Sequence, residues 1–294
     1  MIAYVALAIA ILAWGLEYPL MKSVSAELGP MATGAVMFSV AAFLLGAQLA
    51  VRGTFRRERL PDRQTLGRLL LIGLIGFLLN AAVLLAVRMT SVTNVATLAR
   101  TDVLFSLLLA AFIFREKVDR SAWWTTPLML AGIYLLTGIV TRPFGMGNGG
   151  DALVLLSAFL VALNAYIIRH TAQRVDPTLI GFVNTATNSA LFVVAALLVP
   201  PHSAGMLALG VAFAHPVALE LGCIAAIFFA SYYIALRALP VWRVRLLMLM
   251  IPVVAALAGT FWLDENITAI EAMGMALICA GAAGAVLPKR VWHH

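Results

Sequence analysis

Charged residues are scarce in this chain: Asp, Glu, Lys and Arg make up 11% of its 294 residues, whereas hydrophobic residues make up 63%. The mean hydropathy is +1.00. A soluble domain has an apolar share nearer ~45–50%, so the composition excludes that class. Apolar runs of about 20 residues are long enough to cross a hydrocarbon core of roughly 30 Å as helices, which satisfy their own backbone hydrogen bonds. The composition therefore predicts an all-α, multi-pass membrane protein.

Several chemical signatures are also missing. The two cysteines, Cys223 and Cys279, lie in apolar runs, so the sequence implies neither a disulfide framework nor a thiolate metal site. The chain has no HExxH, GxSxG or Walker motif, and its histidines lack ligand spacing. We therefore expect no enzymatic activity, no metal and no cofactor. The net charge of +7 comes from basic residues in short loops, so we expect no nucleic-acid partner.

The apolar runs predict ten membrane spans. Loops rich in Lys and Arg alternate with loops poor in them, which indicates that every second loop and both termini are cytoplasmic. The expected location is the bacterial cytoplasmic (inner) membrane. The predicted spans are 3–24, 30–51, 66–88, 92–114, 121–140, 151–170, 177–199, 215–238, 242–263 and 267–287.

The chain is an internal repeat. Adding 149 to each number places Arg88 on Arg237 and Glu116 on Glu265 without a gap. Each copy has five spans, so the second copy enters the membrane from the opposite side. Inverted repeats are typical of secondary transporters, whose substrate site lies between the halves. The predicted units are a first five-helix repeat, a Gly-rich connector and a second five-helix repeat, at residues 1–144, 145–150 and 151–294.

A family resemblance rests on this duplication and on two local features. Trp14-Gly15 lies early in the first span, and Pro252 precedes Glu265 by thirteen residues. With these features the chain resembles the EamA-type branch of the drug/metabolite transporter superfamily, and within it the YddG-like amino-acid exporters. The resemblance implies ten helices in two inverted halves, a central cavity and export or exchange of small metabolites. The family usually has a proline at the position of Pro252, and Val103 replaces it in the first copy. This departure bears on any substrate assignment taken from relatives.

Three ionisable residues lie well inside predicted spans, away from the span ends: Glu17, Arg100 and Asp102. Each costs about 2.5 to 3.5 kcal/mol at a helix centre, so each should face the bundle interior and find a partner. Glu17 and Arg100 lie at similar depths, roughly 10 and 12 Å from the outer ends of their spans, which predicts an ion pair or shared site. Asp102 should face elsewhere or lie deeper. The three residues either form a structural network or line a cavity.

Two carboxylates against one guanidinium leave room for a substrate ammonium or for a proton relay, and an arginine fork suits a carboxylate. A zwitterionic substrate fits both charges. Other candidate contacts are polar or aromatic residues at membrane depth, each of which could instead hold helices together or pack. The complete set of predicted substrate-binding residues is Glu17, Tyr18, Asn80, Thr97, Arg100, Asp102, Asn164 and Tyr232.

Further residues are expected to be structural. Glu116 and Glu265 lie at span ends, where a carboxylate can reach water or a neighbouring helix end. The glycines of the fifth and tenth spans suit close helix contact. Four tryptophans fall at predicted membrane interfaces and are expected in the aromatic belts, namely Trp123, Trp124, Trp242 and Trp262.

These observations predict a secondary transporter, in the exporting direction, with neutral or aromatic amino acids as the leading substrates. Organic cations or drugs are the alternative substrates. A lipid-carrier flippase or lipid-modifying enzyme is the alternative from another class, and it should show a lateral opening between helices. The expected partners are a small-molecule substrate and the lipid bilayer. Proton coupling stays open, and the expected oligomeric state is a monomer or weak homodimer.

Overall fold

A computed structural model of the chain describes residues 1–53, 62–89, 95, 98–137, 149–198, 205–263 and 267–286. All regular secondary structure in these residues is helical, as the composition predicts. The α-helices are α1 (Ile2–Leu28), α2 (Pro30–Val51), α3 (Arg63–Met89), α4 (Asp102–Leu108), α5 (Ala122–Leu136), α6 (Gly149–Ala172), α7 (Pro177–Leu198), α8 (Gly205–Ala214), α9 (Pro216–Ala238), α10 (Val241–Leu247), α11 (Ile251–Leu263) and α12 (Ala269–Val286).

Two helical segments contain a 3₁₀ turn at repeat-equivalent positions. Ala99–Thr101 precedes α4, and Met248–Met250 joins α10 to α11. Adding 149 to the first range gives the second. In the second copy, Pro252 has no N–H to donate to the preceding turn. In the first copy, the Thr101 hydroxyl donates to the Leu98 carbonyl at 2.6 Å. A 3₁₀ stretch inside a helix often marks a hinge.

Polar caps and prolines define several helix starts. The Asp176 carboxylate accepts a hydrogen bond from the Thr178 N–H at 2.7 Å at the start of α7. At the start of α12, the Thr268 N–H donates to Glu271 at 2.7 Å and the Glu271 N–H donates to the Thr268 hydroxyl at 3.3 Å, a capping box. Prolines, which lack the N–H that a first helical residue leaves unused, open α2, α7 and α9.

The observed helices agree with most predicted spans to within a few residues. Helix α1 extends to Leu28, beyond the predicted end at residue 24. Helix α8 is not predicted from the sequence. Helix α6 begins at Gly149, so the expected connector is already helical there, and residues 145–148 lie outside the described part of the chain.

Within the described residues, seven helices are long and apolar enough to cross a membrane. Two further apolar stretches are shorter: Ile2–Glu17 within α1, and α5. Large apolar side chains face outward, among them Phe43, Phe112 and Phe261. An apolar outer surface of this extent suits contact with lipid tails. The chain is therefore a multi-pass membrane protein, and the count of ten spans stays a prediction.

Helix packing follows the same shift of 149 residues as the sequence. Helix α1 packs on α9 and α11, and its counterpart α6 packs on α3 and α4. Helix α2 packs on α9, as α7 packs on α3. The pairs α2–α7 and α5–α12 are their own counterparts. Helices before residue 144 therefore pack chiefly against helices after it, and the two halves of the chain interleave.

Glycines allow the closest of these contacts. A Cβ atom on Gly132 of α5 would lie 2.6 Å from the Gly274 carbonyl oxygen of α12, and one on Gly274 would lie 2.6 Å from that of Gly132. Gly281 and Gly284 face Met129 and Trp124 in the same way. The prediction that these glycines serve close helix contact is confirmed.

The tryptophans divide between surface and core. Trp123 and Trp124 are exposed, as belt residues should be, but Trp242 is 1% exposed. The interface position expected for Trp242 is wrong, because α10 turns this side chain into the main apolar core. The Trp262 side chain lies outside the described part.

Candidate functional site

A buried ion pair joins the two halves of the chain. Asp102, the first residue of α4, pairs through Oδ2 with Nη2 of Arg245 in α10. Each side chain is only 5% exposed. Burying two charges requires strong desolvation, so such a pair needs good geometry and further hydrogen bonds. The expectation that Asp102 faces the interior and finds a partner is confirmed for this residue.

The partner of Asp102, Arg245, lies in a helix and not in a loop. By the rule for basic loops, Arg245 was counted with Arg237 and Arg243 in the cytoplasmic loop between the eighth and ninth spans, although the predicted ninth span, 242–263, already includes it. In the structure α10 begins at Val241, directly after Pro240, so Arg245 lies more than one helical turn inside the helix. The loop assignment for Arg245 is therefore wrong. Pro240 is the signal that could have found it, since proline commonly marks a helix start.

Aromatic side chains lie beside the ion pair. The Arg245 Nη1 donates to the Tyr232 hydroxyl at 3.4 Å. The Tyr232 ring stacks on Phe228 with centroids 5.3 Å apart, and Trp14 lies 4.7 Å from Phe228. Tyr233 is 5.5 Å from Tyr232. The structure thus brings two predicted residues, Asp102 and Tyr232, together on Arg245, which sequence analysis missed.

The expected ion pair between Glu17 and Arg100 is not formed. Glu17 is 7% exposed on α1, and no salt bridge or hydrogen bond joins it to another residue that the structure describes. Helix α1 packs mainly on α9 and α11, so similar depth does not bring Glu17 to the segment that carries Arg100. Arg100 is half-buried on the 3₁₀ turn before α4.

Asparagines form a second polar cluster between α3, α6 and α7. The Asn164 amide donates to the Ile72 carbonyl at 3.3 Å, and the Asn188 amide donates to the Gly73 carbonyl at 3.3 Å. The Asn184 amide donates to the Tyr233 hydroxyl at 2.6 Å. Within the described part, the Oδ1 atoms of Asn164 and Asn188 are buried acceptors without a hydrogen-bond partner. Both could accept a bond from a polar ligand.

The structure gives no evidence of a substrate contact for the other predicted residues. Asn80 is half-buried, and its amide donates to the Gly76 carbonyl of its own helix at 2.8 Å. The Tyr18 side chain and Thr97 lie outside the described part of the chain. Asn80, Tyr18 and Thr97 therefore stay predictions as contacts.

Charged side chains close one end of the bundle, which we call the charged end and define by Glu116, Asp119, Arg169 and Arg243. Glu116 lies 3.4 Å from Arg169, and Asp119 pairs with Arg243. Arg169 also donates to the Leu239 carbonyl. Each pair joins an acid before residue 144 to an arginine after residue 149. The counterparts under the 149 shift are Glu265, Thr268, Leu20 and Asn94, so the sequence repeats one of the four charges at the opposite end.

The backbone before Glu116 is irregular in a way that positions its carboxylate. Leu109–Ile113 form a π turn after α4, and Arg115 has a positive φ of 49°. The Glu116 N–H then donates to the Ala110 carbonyl at 2.8 Å. Burial raises the pKa of Glu116 above its ordinary value, although the Arg169 guanidinium acts in the opposite direction. Desolvation therefore outweighs the ion pair at this carboxyl group.

A groove of about 410 Å³ runs along the side of the bundle between α1 and α11. Its lining is apolar: Leu12, Leu16, Val254, Leu257, Ala258 and Phe261. These described side chains suit a hydrocarbon chain and give a polar head group no hydrogen-bond partner. Among the described residues, no group of three or more His, Cys, Asp or Glu side chains is placed to bind a metal.

Comparison with known proteins adds three findings. The model of the family described as EamA-like transporter matches residues 1–138 and residues 148–287. A protein of Archaeoglobus fulgidus, described as an uncharacterized transporter, is 26% identical over 222 residues, which are 75% of this chain and 75% of that protein. A crystal structure of a protein 21% identical covers 97% of this chain and 98% of its own, with a TM-score of 0.79. At that identity, the likeness to the crystal structure concerns the fold alone.

Proposed function

Because the chain belongs to the EamA-like transporter family, we propose that this membrane transporter is a secondary carrier that exports neutral or aromatic amino acids. The observation that carries the substrate class is the buried Asp102–Arg245 pair beside the Tyr232 ring. Opposite charges at one place suit the ammonium and carboxylate of an amino acid, and the aromatic surroundings suit its side chain. The proposed location is the bacterial cytoplasmic membrane, with both termini in the cytoplasm.

The proposed mechanism is alternating access between two inverted five-helix halves, residues 1–144 and 151–294. Three observations support it: the 149-residue shift in sequence, the same shift in helix packing, and the two ranges matched by one family model. Halves of similar construction can exchange two arrangements at similar energy around a site between them. The 3₁₀ turns at Ala99–Thr101 and Met248–Met250 are the proposed hinges.

Proton coupling is the proposed energy source, and Glu17 is its candidate carrier. Glu17 is a buried carboxyl group on α1, and no described residue pairs with it. Ionisable groups buried at membrane depth commonly serve proton relays in transporters. Transport should then respond to a pH gradient, and the Glu17→Gln variant should not.

The test is uptake of labelled amino acids into proteoliposomes with and without a pH gradient. We expect saturable movement of neutral or aromatic amino acids above the rate of empty liposomes. Rates equal to those of empty liposomes for every amino acid, beside clear movement of an organic cation, would overturn the substrate class and favour the drug-carrier alternative.

A lipid-carrier flippase is the second candidate, and the lateral groove between α1 and α11 favours it. A flippase must also move a polar head group, whereas the described residues that line the groove are all apolar. A fluorescent-lipid scrambling assay in the same proteoliposomes separates the two candidates. Lipid movement without amino-acid movement would support the flippase.

A further inference from the structure

Side-chain amides from two helices meet one turn of α3. The Asn164 amide of α6 donates to the Ile72 carbonyl at 3.3 Å, and the Asn188 amide of α7 donates to the carbonyl of the next residue, Gly73, also at 3.3 Å. Glycine allows this approach, since a Cβ atom on Gly76 would lie 3.1 Å from the Asn188 Nδ2. Helices α6 and α7 both pack on α3 and on α9, so the amides lie between these four helices.

The chemistry of these contacts determines which end of each amide is left over. The Ile72 and Gly73 backbone carbonyls only accept hydrogen bonds, so each asparagine must turn its NH₂ group towards them. The Asn188 NH₂ group also meets two acceptors of Asn184, its backbone carbonyl at 2.8 Å and its Oδ1 at 3.0 Å. The Oδ1 atoms of Asn164 and Asn188 are left, and neither has a hydrogen-bond partner among the described residues, although the two residues are only 5% and 1% exposed. Because these buried atoms are acceptors, a ligand that binds here must donate hydrogen bonds.

The repeat shows that this kind of helix packing does not require asparagine. The counterpart helices α1, α2 and α9 pack on one another as α6, α7 and α3 do. Under the shift of 149 residues, Asn164, Asn184 and Asn188 correspond to Gly15, Ala35 and Ser39. A polar side chain buried at membrane depth is costly unless it finds a partner. Helix packing therefore does not by itself explain the three asparagines.

The surroundings of the asparagines are uncharged and aromatic. The Tyr233 hydroxyl accepts from the Asn184 amide at 2.6 Å, and the Tyr233 ring lies 5.9 Å from that of Phe229 and 5.5 Å from that of Tyr232. Since Tyr232 accepts from Arg245, two consecutive tyrosines of α9 connect the ion pair to the asparagines. A positive charge is costly in such surroundings without a counter-charge, whereas an uncharged N–H or O–H group on a ring is not.

From these observations we infer that Asn164 and Asn188 bind the uncharged hydrogen-bond donor of a substrate side chain. This inference rests on the proposed function and narrows the substrate class to aromatic amino acids with a ring N–H or O–H group. That group donates to an Oδ1 atom of the two asparagines, and the ring lies against Tyr233. A ring without a donor leaves the buried acceptor unpaired, and sites built to hydrogen-bond a ligand discriminate against such analogues.

Calorimetric titration of the purified protein in lipid nanodiscs tests the inference with a matched pair of probes. L-tryptophan and 3-benzothienyl-L-alanine have nearly the same shape, but in the second a sulfur atom replaces the ring N–H group. We expect tryptophan to bind the wild-type protein about 5- to 10-fold more tightly, which is the contribution of one hydrogen bond. Equal affinities would overturn the inference and would indicate that water satisfies the two acceptors.

Variants without the two acceptors separate a binding role from a structural role. Asn164→Leu with Asn188→Leu keeps the approximate shape of both side chains and should bind the two probes equally. A purely structural role would weaken both probes alike and keep the ratio of their affinities. If this double variant does not fold, Asn164→Ala with Asn188→Ser provides the same test, because serine occupies the counterpart position.

Ser39→Ala is the matched control. Ser39 is the counterpart of Asn188 in the first half of the chain, and its hydroxyl lies 2.6 Å from that of Ser189. This variant should keep the wild-type ratio of the two affinities. Loss of the ratio here as well would overturn its assignment to the asparagines.

The remaining outcomes distinguish this inference from the proposed function. A folded double variant that keeps the wild-type ratio places the donor elsewhere and overturns the inference alone. Failure of both double variants to fold assigns the asparagines to structure and also overturns it. Transport of other amino acids without binding of tryptophan overturns the inference and leaves the carrier standing. If the wild-type protein moves no amino acid in proteoliposomes, the proposed function itself fails.

Discussion

Opening of the charged end should be governed by the ion pair between Glu116 and Arg169. The two charged atoms lie 3.4 Å apart, and the side chains are 20% and 27% exposed. At an effective dielectric constant of ~20, the gross attraction is about 5 kcal/mol. Desolvation and side-chain ordering oppose most of it, and exposed pairs measure only about 0.2–1 kcal/mol. Because desolvation raises the pKa of Glu116 even beside Arg169, the ionised carboxylate depends on that guanidinium to stay half-buried. Removing the guanidinium should cost about 1–2 kcal/mol, or about a 5- to 30-fold change in an equilibrium constant.

The perturbation is Arg169→Gln, and the reporter is Ser106→Cys in a background without the exposed Cys223 and Cys279. Ser106 is fully buried and lies ten residues before Glu116, so reagent reaches it from the charged end only when that end opens. We expect a membrane-impermeant maleimide added on that side to label the cysteine about 5 to 30 times faster in the glutamine variant.

Glu271→Gln is the matched control, because this carboxylate is exposed and caps α12 through Thr268 within its own half. Its labelling rate should equal that of the background. An unchanged rate in the Arg169→Gln variant would refute the view that this ion pair holds the end closed.

Three further predictions concern pH, packing and transport. Because the pKa of Glu116 is raised in the folded protein, the native state binds this proton more firmly than the unfolded chain does, so stability should fall as pH rises above the ordinary value of 4.5. Thermal unfolding across this pH range should show that fall, and Glu116→Gln should reduce it; an identical profile in the variant would contradict the assignment. Gly132→Ala should cost about 1–3 kcal/mol in the free energy of unfolding, whereas Gly67→Ala, whose Cβ meets no atom within 4 Å, should cost nothing. Glu17→Gln and Arg100→Gln should each reduce transport without reducing the amount of folded protein, and wild-type rates in both would assign these residues to structure.

Much of the fold could be predicted from hydropathy and from the internal repeat. The apolar runs predicted most helices to within a few residues, because lipid burial depends on the average apolarity of a segment. The duplication was visible because equivalent residues such as Glu116 and Glu265 recur at a constant shift. The resemblance to the EamA-type family followed from these features and is confirmed, whereas the resemblance to YddG-like amino-acid exporters stays a prediction.

The candidate site was predicted only in part. Asp102 was expected to need a buried partner, because an isolated charge at membrane depth is costly. The partner was missed because Arg245 lies 143 residues away and one turn inside a helix, whereas the rule that assigns basic residues to cytoplasmic loops placed it in a loop. The expected Glu17–Arg100 pair does not form. Similar depth in the membrane brings two side chains together only when their helices are neighbours, and the sequence did not show which helices are.

The sequence by itself determined that this chain is a duplicated helical membrane protein with costly charges inside its spans. Only the tertiary structure decided that Asp102 meets Arg245, that Trp242 is buried, and that the acids and arginines of the charged end face one another. The physical reason is that membrane insertion averages over about 20 residues, whereas pairing depends on the rotation of each helix, which changes by about 100° with every residue.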